Sequence, residues 1–78
     1  MSMEDRLRRV FSDVFGVGVE ELGEESSPET IEQWDSVAHL SLVLALEGDF
    51  AVQFDIEEIP ELVSFRVIRD RLEELGAG

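Results

Sequence analysis

The chain has no cysteine and only one histidine, so neither a disulfide framework nor a thiolate or multi-histidine metal site can hold it together, and no resident metal is expected. It has no lysine, and its six cations are arginines confined to the ends: Arg6, Arg8 and Arg9 near the start, Arg66, Arg69 and Arg71 near the finish. Between Val10 and Phe65 there are fourteen acids and no lysine or arginine. Nucleic-acid binding needs cations to displace counterions from phosphates, so this stretch argues against it. A nucleic-acid mimic is the only reading of that kind left, and its charges are spread over loops instead of at phosphate-like spacing. No apolar run approaches a membrane span: the longest, Leu40 to Leu46, includes Ser41. The opening Met1-Ser2-Met3-Glu4-Asp5 lacks the basic region of a secretory leader, so a soluble cytoplasmic protein without membrane insertion is expected.

What is present is a small acidic chain with enough apolar residues to fold. Its 78 residues carry a net charge of −13, with 44% hydrophobic and 32% charged residues, which places it among globular rather than disordered sequences. One domain, residues 1–78, is expected. A chain this short buries only about 60–65% of the surface its unfolded form exposes, which leaves little room for an enclosed active site. The acidity points to basic protein partners found by electrostatic steering, or simply to solubility. Crowded acids also repel one another, so salt should stabilise the fold. Divalent cations should do so more strongly if gathered by Glu20-Glu21 with Glu24-Glu25, or by Asp55 with Glu57-Glu58.

Helical spacing organises most of the chain. Ser2 with Asp5 three residues on can cap a first helix, in which Met3, Leu7, Val10, Phe11, Val14 and Phe15 recur on one side until Gly16 ends it. A long loop follows from Val17 to Ile31, pinned by Val19, Leu22 and Ile31. A second helix begins at Asp35 or Ser36 and runs to about Phe50. At about 100° per residue its apolar residues divide in two. His39, Leu42, Val43, Leu46 and Phe50 gather on one side; Val37, Leu40, Ser41, Leu44 and Gly48 gather opposite. Either all are core, or Val37, Leu40 and Leu44 form an exposed stripe for partners. Asp55 and Glu58 signal a short helix that Pro60 limits to about a turn and a half, and Ser64 caps a last helix carrying Phe65, Ile68, Leu72 and Leu75 up to Gly76. The expected architecture is all-α: a small four-helix bundle of three longer helices and one short one.

Ser36 is the residue around which this pattern turns. An Asp at the N-cap takes up one free backbone N–H of the first turn and leaves the next side chain at the helix mouth, where N–H groups and the macrodipole favour an anion. Asp35, Ser36 and His39 are also the only Ser/His/Asp group close in sequence. A small esterase would further need an oxyanion hole, a pocket and a carboxylate on the imidazole, for which the chain has little room. His39 falls on the core-facing side and is expected to pack near Trp34; no catalytic residue is expected, and the chain is read as a non-enzyme.

The order Trp34-Asp35-Ser36-Val37-Ala38-His39-Leu40, then Ala45-Leu46-Glu47, Phe50 and Ile56 to Phe65, resembles the acyl carrier protein family, whose Asp-Ser-Leu signature reads here as Asp35-Ser36-Val37. The resemblance runs from about Leu7 to Leu75. It implies an acyl-carrier-type bundle in which Ser36 carries a covalent 4′-phosphopantetheine arm, added by a phosphopantetheinyl transferase from coenzyme A with Mg²⁺, and Asp35 helps engage the transferase's metal ion. The implied function is that of a free-standing monomeric carrier holding acyl or aminoacyl groups as thioesters for a ligase, an acyltransferase and other biosynthetic enzymes of fatty acid, polyketide or nonribosomal peptide type. Val37, Leu40, Leu44 and Glu47 would meet those partners. Leu46, Ile59, Leu62 and Ile68 would line the path of the acyl chain, or are plain core. Ala38, Ser41 and Gly48 stand where family members often carry acids, with Glu47 and Asp49 retained, which favours apolar over electrostatic recognition and a specialised pathway. The alternative is an unmodified acidic helical interaction module using the Val37-Leu40-Leu44 stripe alone.

Overall fold

Each long helix starts on the side chain that the sequence offers as its cap. In the computed structural model, which describes residues 2–76, the Ser2 hydroxyl accepts the N–H of Asp5 at 3.2 Å, and α1 follows as Met3–Phe15. The extremities of the expected 1–78 domain, residues 1, 77 and 78, lie outside the described residues. Asp35 accepts the N–H of Ala38 at 2.8 Å and opens α2, Ser36–Phe50; Ser64 accepts the N–H of Val67 at 3.1 Å and opens α3, Phe65–Glu74. These bonds satisfy donors that the first helical turn leaves free, each cap contributing about 1 kcal/mol. Gly16 stops α1 at φ 71°, where a residue without Cβ is unstrained, whereas α2 ends on Ala51 at φ 54°, a left-handed conformation seldom taken by a residue with a side chain.

The short fourth helix expected after Asp55 is reduced to less than that. Asp55 does donate its N–H to the Glu58 carboxylate at 3.3 Å, yet the chain forms only turns there and then one 3₁₀ turn, Ile59–Glu61. Pro60 removes a donor that a continuing α-helix would use. A second 3₁₀ turn, Val19–Glu21, interrupts the long loop. The described residues are therefore all-helical, with three α-helices, two 3₁₀ turns and no strand.

The core forms where α1, α2, α3 and the loop converge. Phe11 lies against Phe15, Trp34 and Phe65, with ring centroids 5.7, 5.5 and 5.1 Å away, and Leu7, Leu42, Leu46, Ile68 and Leu72 close around this cluster with no exposed surface. Each such side chain contributes about 1.5–3 kcal/mol by leaving water. The long loop crosses the fold to reach α3. Buried Ser26 accepts the N–H of Gly23 on its hydroxyl at 3.0 Å, and its carbonyl accepts the N–H of Phe65 at 2.8 Å. Glu24 presents its carbonyl to the N–H of Arg66 at 3.3 Å, so the loop satisfies part of the first turn of α3.

The terminal arginines hold acids from distant parts of the chain. Arg71 grips Glu58 with two bonds, at 2.7 and 3.1 Å, and Arg69 meets Glu4 at 2.9 Å and also Glu24. Arg6 donates to the Asp49 carbonyl at 2.7 Å and lies over the Phe50 ring. The Arg69 hydrogen bond lowers the pKa of Glu24, and the Arg71 hydrogen bond lowers that of Glu58. The acid clusters expected to gather a divalent cation do not assemble: Glu21 instead accepts the N–H of Gly18 at 2.8 Å, Glu24 and Glu58 are held by arginines, and among the described residues no group of three His, Asp or Glu side chains is placed to bind a metal ion.

Candidate functional site

Ser36 occupies the first position of α2 and is exposed, with the Asp35 carboxylate beside it committed to Ala38 N–H. The helix begins here because Asp35 is extended at φ −100°, ψ −174°, so the chain arrives across the helix end and turns into it at Ser36. The hydroxyl stands at the end of the helix where backbone N–H groups point outward and the macrodipole favours negative charge.

Beside it runs an open groove of about 440 Å³, with Trp34, Asp35, Ser36, His39 and Leu40 on one side and Ile59, Pro60 and Val63 on the other, and Pro28 completing the wall. Apart from Asp35, Ser36 and His39, every one of these side chains is apolar. Three segments distant in sequence supply them: the loop, α2 and the 3₁₀ turn before α3.

His39 ties these segments together. The Trp34 indole N–H donates to His39 Nδ1 at 2.9 Å, and His39 Nε2 bonds the carbonyl of Ile59 at 2.7 Å. Trp34 is only 3% exposed, and the two rings are nearly parallel, at an interplanar angle of 19°. Because both imidazole nitrogens are engaged and Asp35 is turned to its own helix, Asp35, Ser36 and His39 do not form a Ser-His-Asp relay in this conformation.

The two sides of α2 separate as helical periodicity suggests. Leu42, Val43, Leu46 and Phe50 are buried, while Val37 is 76% exposed, Leu40 57% and Leu44 69%. Leu40 belongs both to this stripe and to the groove, and so links the exposed flank of α2 to the Ser36 site. Glu47 does not stand free beside it. The side chain is half-buried, and its carboxylate accepts the N–H of Phe54 at 2.9 Å, which ties down the chain after α2.

Of the four residues named for an acyl path, only Ile59 borders the groove. Leu46 and Ile68 have no exposed surface and Leu62 only 2%, because all three face the aromatic cluster; they are core. Sequence reasoning missed Pro28, Pro60 and Val63 as groove walls. Val63 carried the one visible signal: an apolar residue between buried Leu62 and the Ser64 cap, left 47% exposed. Comparison of the chain with known protein families and with curated proteins finds no match to either.

Proposed function

We propose that this chain is a carrier protein of the acyl-carrier type, in which the three α-helices and the 3₁₀ turn at Ile59–Glu61 correspond to the four-element bundle and Ser36 is the attachment point of a 4′-phosphopantetheine arm. The observation that carries the reading is the setting of Ser36: an exposed hydroxyl at a helix mouth, capped by Asp35, on the rim of an apolar groove. Such an arm would lie along this groove, whose apolar walls begin beside the serine. When bound, the arm supplies a thiol on which an acyl or aminoacyl group is held as a thioester.

The chain's own residues perform the remaining tasks. Ser36 Oγ acts as nucleophile toward the phosphorus of the coenzyme A diphosphate; a new P–O bond forms, the bond to the nucleotide phosphate breaks, and the serine proton passes to the transferase. Asp35 fixes the helix start that presents the hydroxyl and offers a carboxylate to the transferase's Mg²⁺. Val37, Leu40 and Leu44 provide an apolar face on which the transferase, an acyl or aminoacyl ligase or an acyltransferase docks, and the surrounding acids steer those enzymes in. Each encounter can be weak, because a tether keeps its cargo at high local concentration. Glu47 serves chiefly inside the fold. The lack of acids at Ala38, Ser41 and Gly48 favours a dedicated biosynthetic pathway, with the carrier acting as a cytoplasmic monomer.

Incubation with coenzyme A, Mg²⁺ and a broad-specificity phosphopantetheinyl transferase, followed by peptide mapping, tests this directly: the modification should fall on the peptide containing Ser36. The exposed stripe also suits an unmodified helical interaction module, and recovery of partner binding with Ser36 never derivatised would favour that reading instead.

A further inference from the structure

The hydrogen bonds of His39 fix its proton. An indole N–H only donates, so Nδ1 must carry the lone pair; a carbonyl oxygen only accepts, so Nε2 must carry the hydrogen. The ring is held as the neutral Nε2–H tautomer. In that form it joins three walls of the groove: Trp34 at the end of the loop, α2 itself, and Ile59 in the 3₁₀ turn. Among the described residues, His39 to Ile59 is the one hydrogen bond between α2 and residues 56–63; besides the local bonds between Asp55 and Glu58, the other polar tie on that segment, Arg71 to Glu58, comes from α3.

We propose that His39 is the positioning residue of the Ser36 groove and acts as a proton-operated latch on its Trp34 wall. Adding a proton at Nδ1 turns the acceptor into a donor and sets it against the indole N–H, so that hydrogen bond is lost. The bond from Nε2–H to Ile59 survives and strengthens, because a charged donor makes a shorter, stronger bond. Protonation therefore releases one wall and keeps the other. An indole N–H on a ring only 3% exposed cannot stay without a partner at low cost, so Trp34 must shift toward water.

The charged groups on the elements packed around the ring are Asp35 at the cap of its own helix, Glu29 and Glu32 on the segment carrying Pro28 and Trp34, Glu58 and Glu61 on the turn carrying Ile59, and Arg71 on α3, which is committed to Glu58. The latch rests on the carrier reading only for its use, which is to make retention of a groove occupant beside Ser36 depend on pH.

Lowering the pH stepwise while following the His39 ring and the Trp34 indole N–H by NMR, with Trp34 fluorescence in parallel, tests the latch on the unmodified protein. The His39 ring should begin as the Nε2–H tautomer. The Trp34 signals should move with the same midpoint as the His39 ring, with helical circular dichroism unchanged. His39→Gln keeps an acceptor and a donor the same two bonds apart but does not titrate, and its Trp34 signals should stay flat over that range. A flat Trp34 response in the wild type, or the same transition in His39→Gln, overturns the proposal. If His39→Gln fails to fold by circular dichroism, the wild-type midpoints decide alone, coincidence supporting the latch and separation overturning it. Failure of a transferase to modify Ser36 would remove the carrier reading and leave these outcomes unaltered.

Discussion

The Glu47 carboxylate accepts the backbone N–H of Phe54 at 2.9 Å, across the left-handed turn that ends α2 at Ala51. An acid that reads as a surface residue on a partner-facing helix is thereby a fastener for the chain that leads toward the groove. A half-buried N–H bonded to a charged acceptor contributes about 1.5–3 kcal/mol. Glu47→Ala should therefore lower the urea unfolding midpoint clearly. An unchanged midpoint would return Glu47 to the role of a free surface acid.

The exposed stripe makes the opposite prediction. Leu44→Ser removes a side chain that is 69% exposed, so stability should change by no more than about 0.5 kcal/mol while loading of Ser36 or transfer from it slows. Leu46→Ala, two residues on and fully buried, should cost about 2–5 kcal/mol. Thermal melts of the two variants check the pair. Comparable destabilisation by both would mean that the Val37-Leu40-Leu44 side is core as well.

Stability should fall on the acid side for a local reason. Glu24 and Glu58 have folded-state pKa values depressed below the ordinary 4.5 by their hydrogen bonds from Arg69 and Arg71. The unfolded chain thus takes up protons first as the pH drops. The contribution of these pairs is complete above 4.5 and is lost as the pH passes through the lowered folded values. Unfolding midpoints measured from pH 6 downward, about the range where carboxylates begin to titrate, should decline more shallowly in Glu58→Gln than in the wild type. Identical slopes would show that the Arg71 pair carries no pH dependence. The same pairs explain why relief of acid repulsion by salt should be modest: screening weakens the Arg69 and Arg71 contacts along with the repulsion.

How much of this could be read from the sequence follows the range of the forces involved. Helix starts depend on one side chain and an N–H three residues on, and so Ser2, Asp35 and Ser64 announced all three helices. Periodicity divides α2 into two apolar sides but leaves open whether both are core, and only the fold shows Val37, Leu40 and Leu44 exposed. The segment after Asp55 was misjudged because its cap signal and Pro60 conflict locally, and the outcome, a 3₁₀ turn, depends on where Leu62 must be buried. The groove was not legible because Pro28, His39 and Val63 meet only through tertiary packing. The arginine contacts were hidden for the same reason: nothing near Arg69 in sequence indicates Glu4 or Glu24. His39 was expected near Trp34, but the carbonyl on its far side belongs to a residue whose position only the fold determines.

The carrier assignment depends most directly on one mass measurement. Wild-type protein and Ser36→Ala are incubated separately with coenzyme A, Mg²⁺ and a broad-specificity phosphopantetheinyl transferase, and the intact masses are compared. Ser36→Ala should remain folded, since an exposed alanine at a helix start costs little. The wild type should gain a single phosphopantetheine and the variant none. A wild type that stays unmodified, or a variant that is modified all the same, would contradict the account.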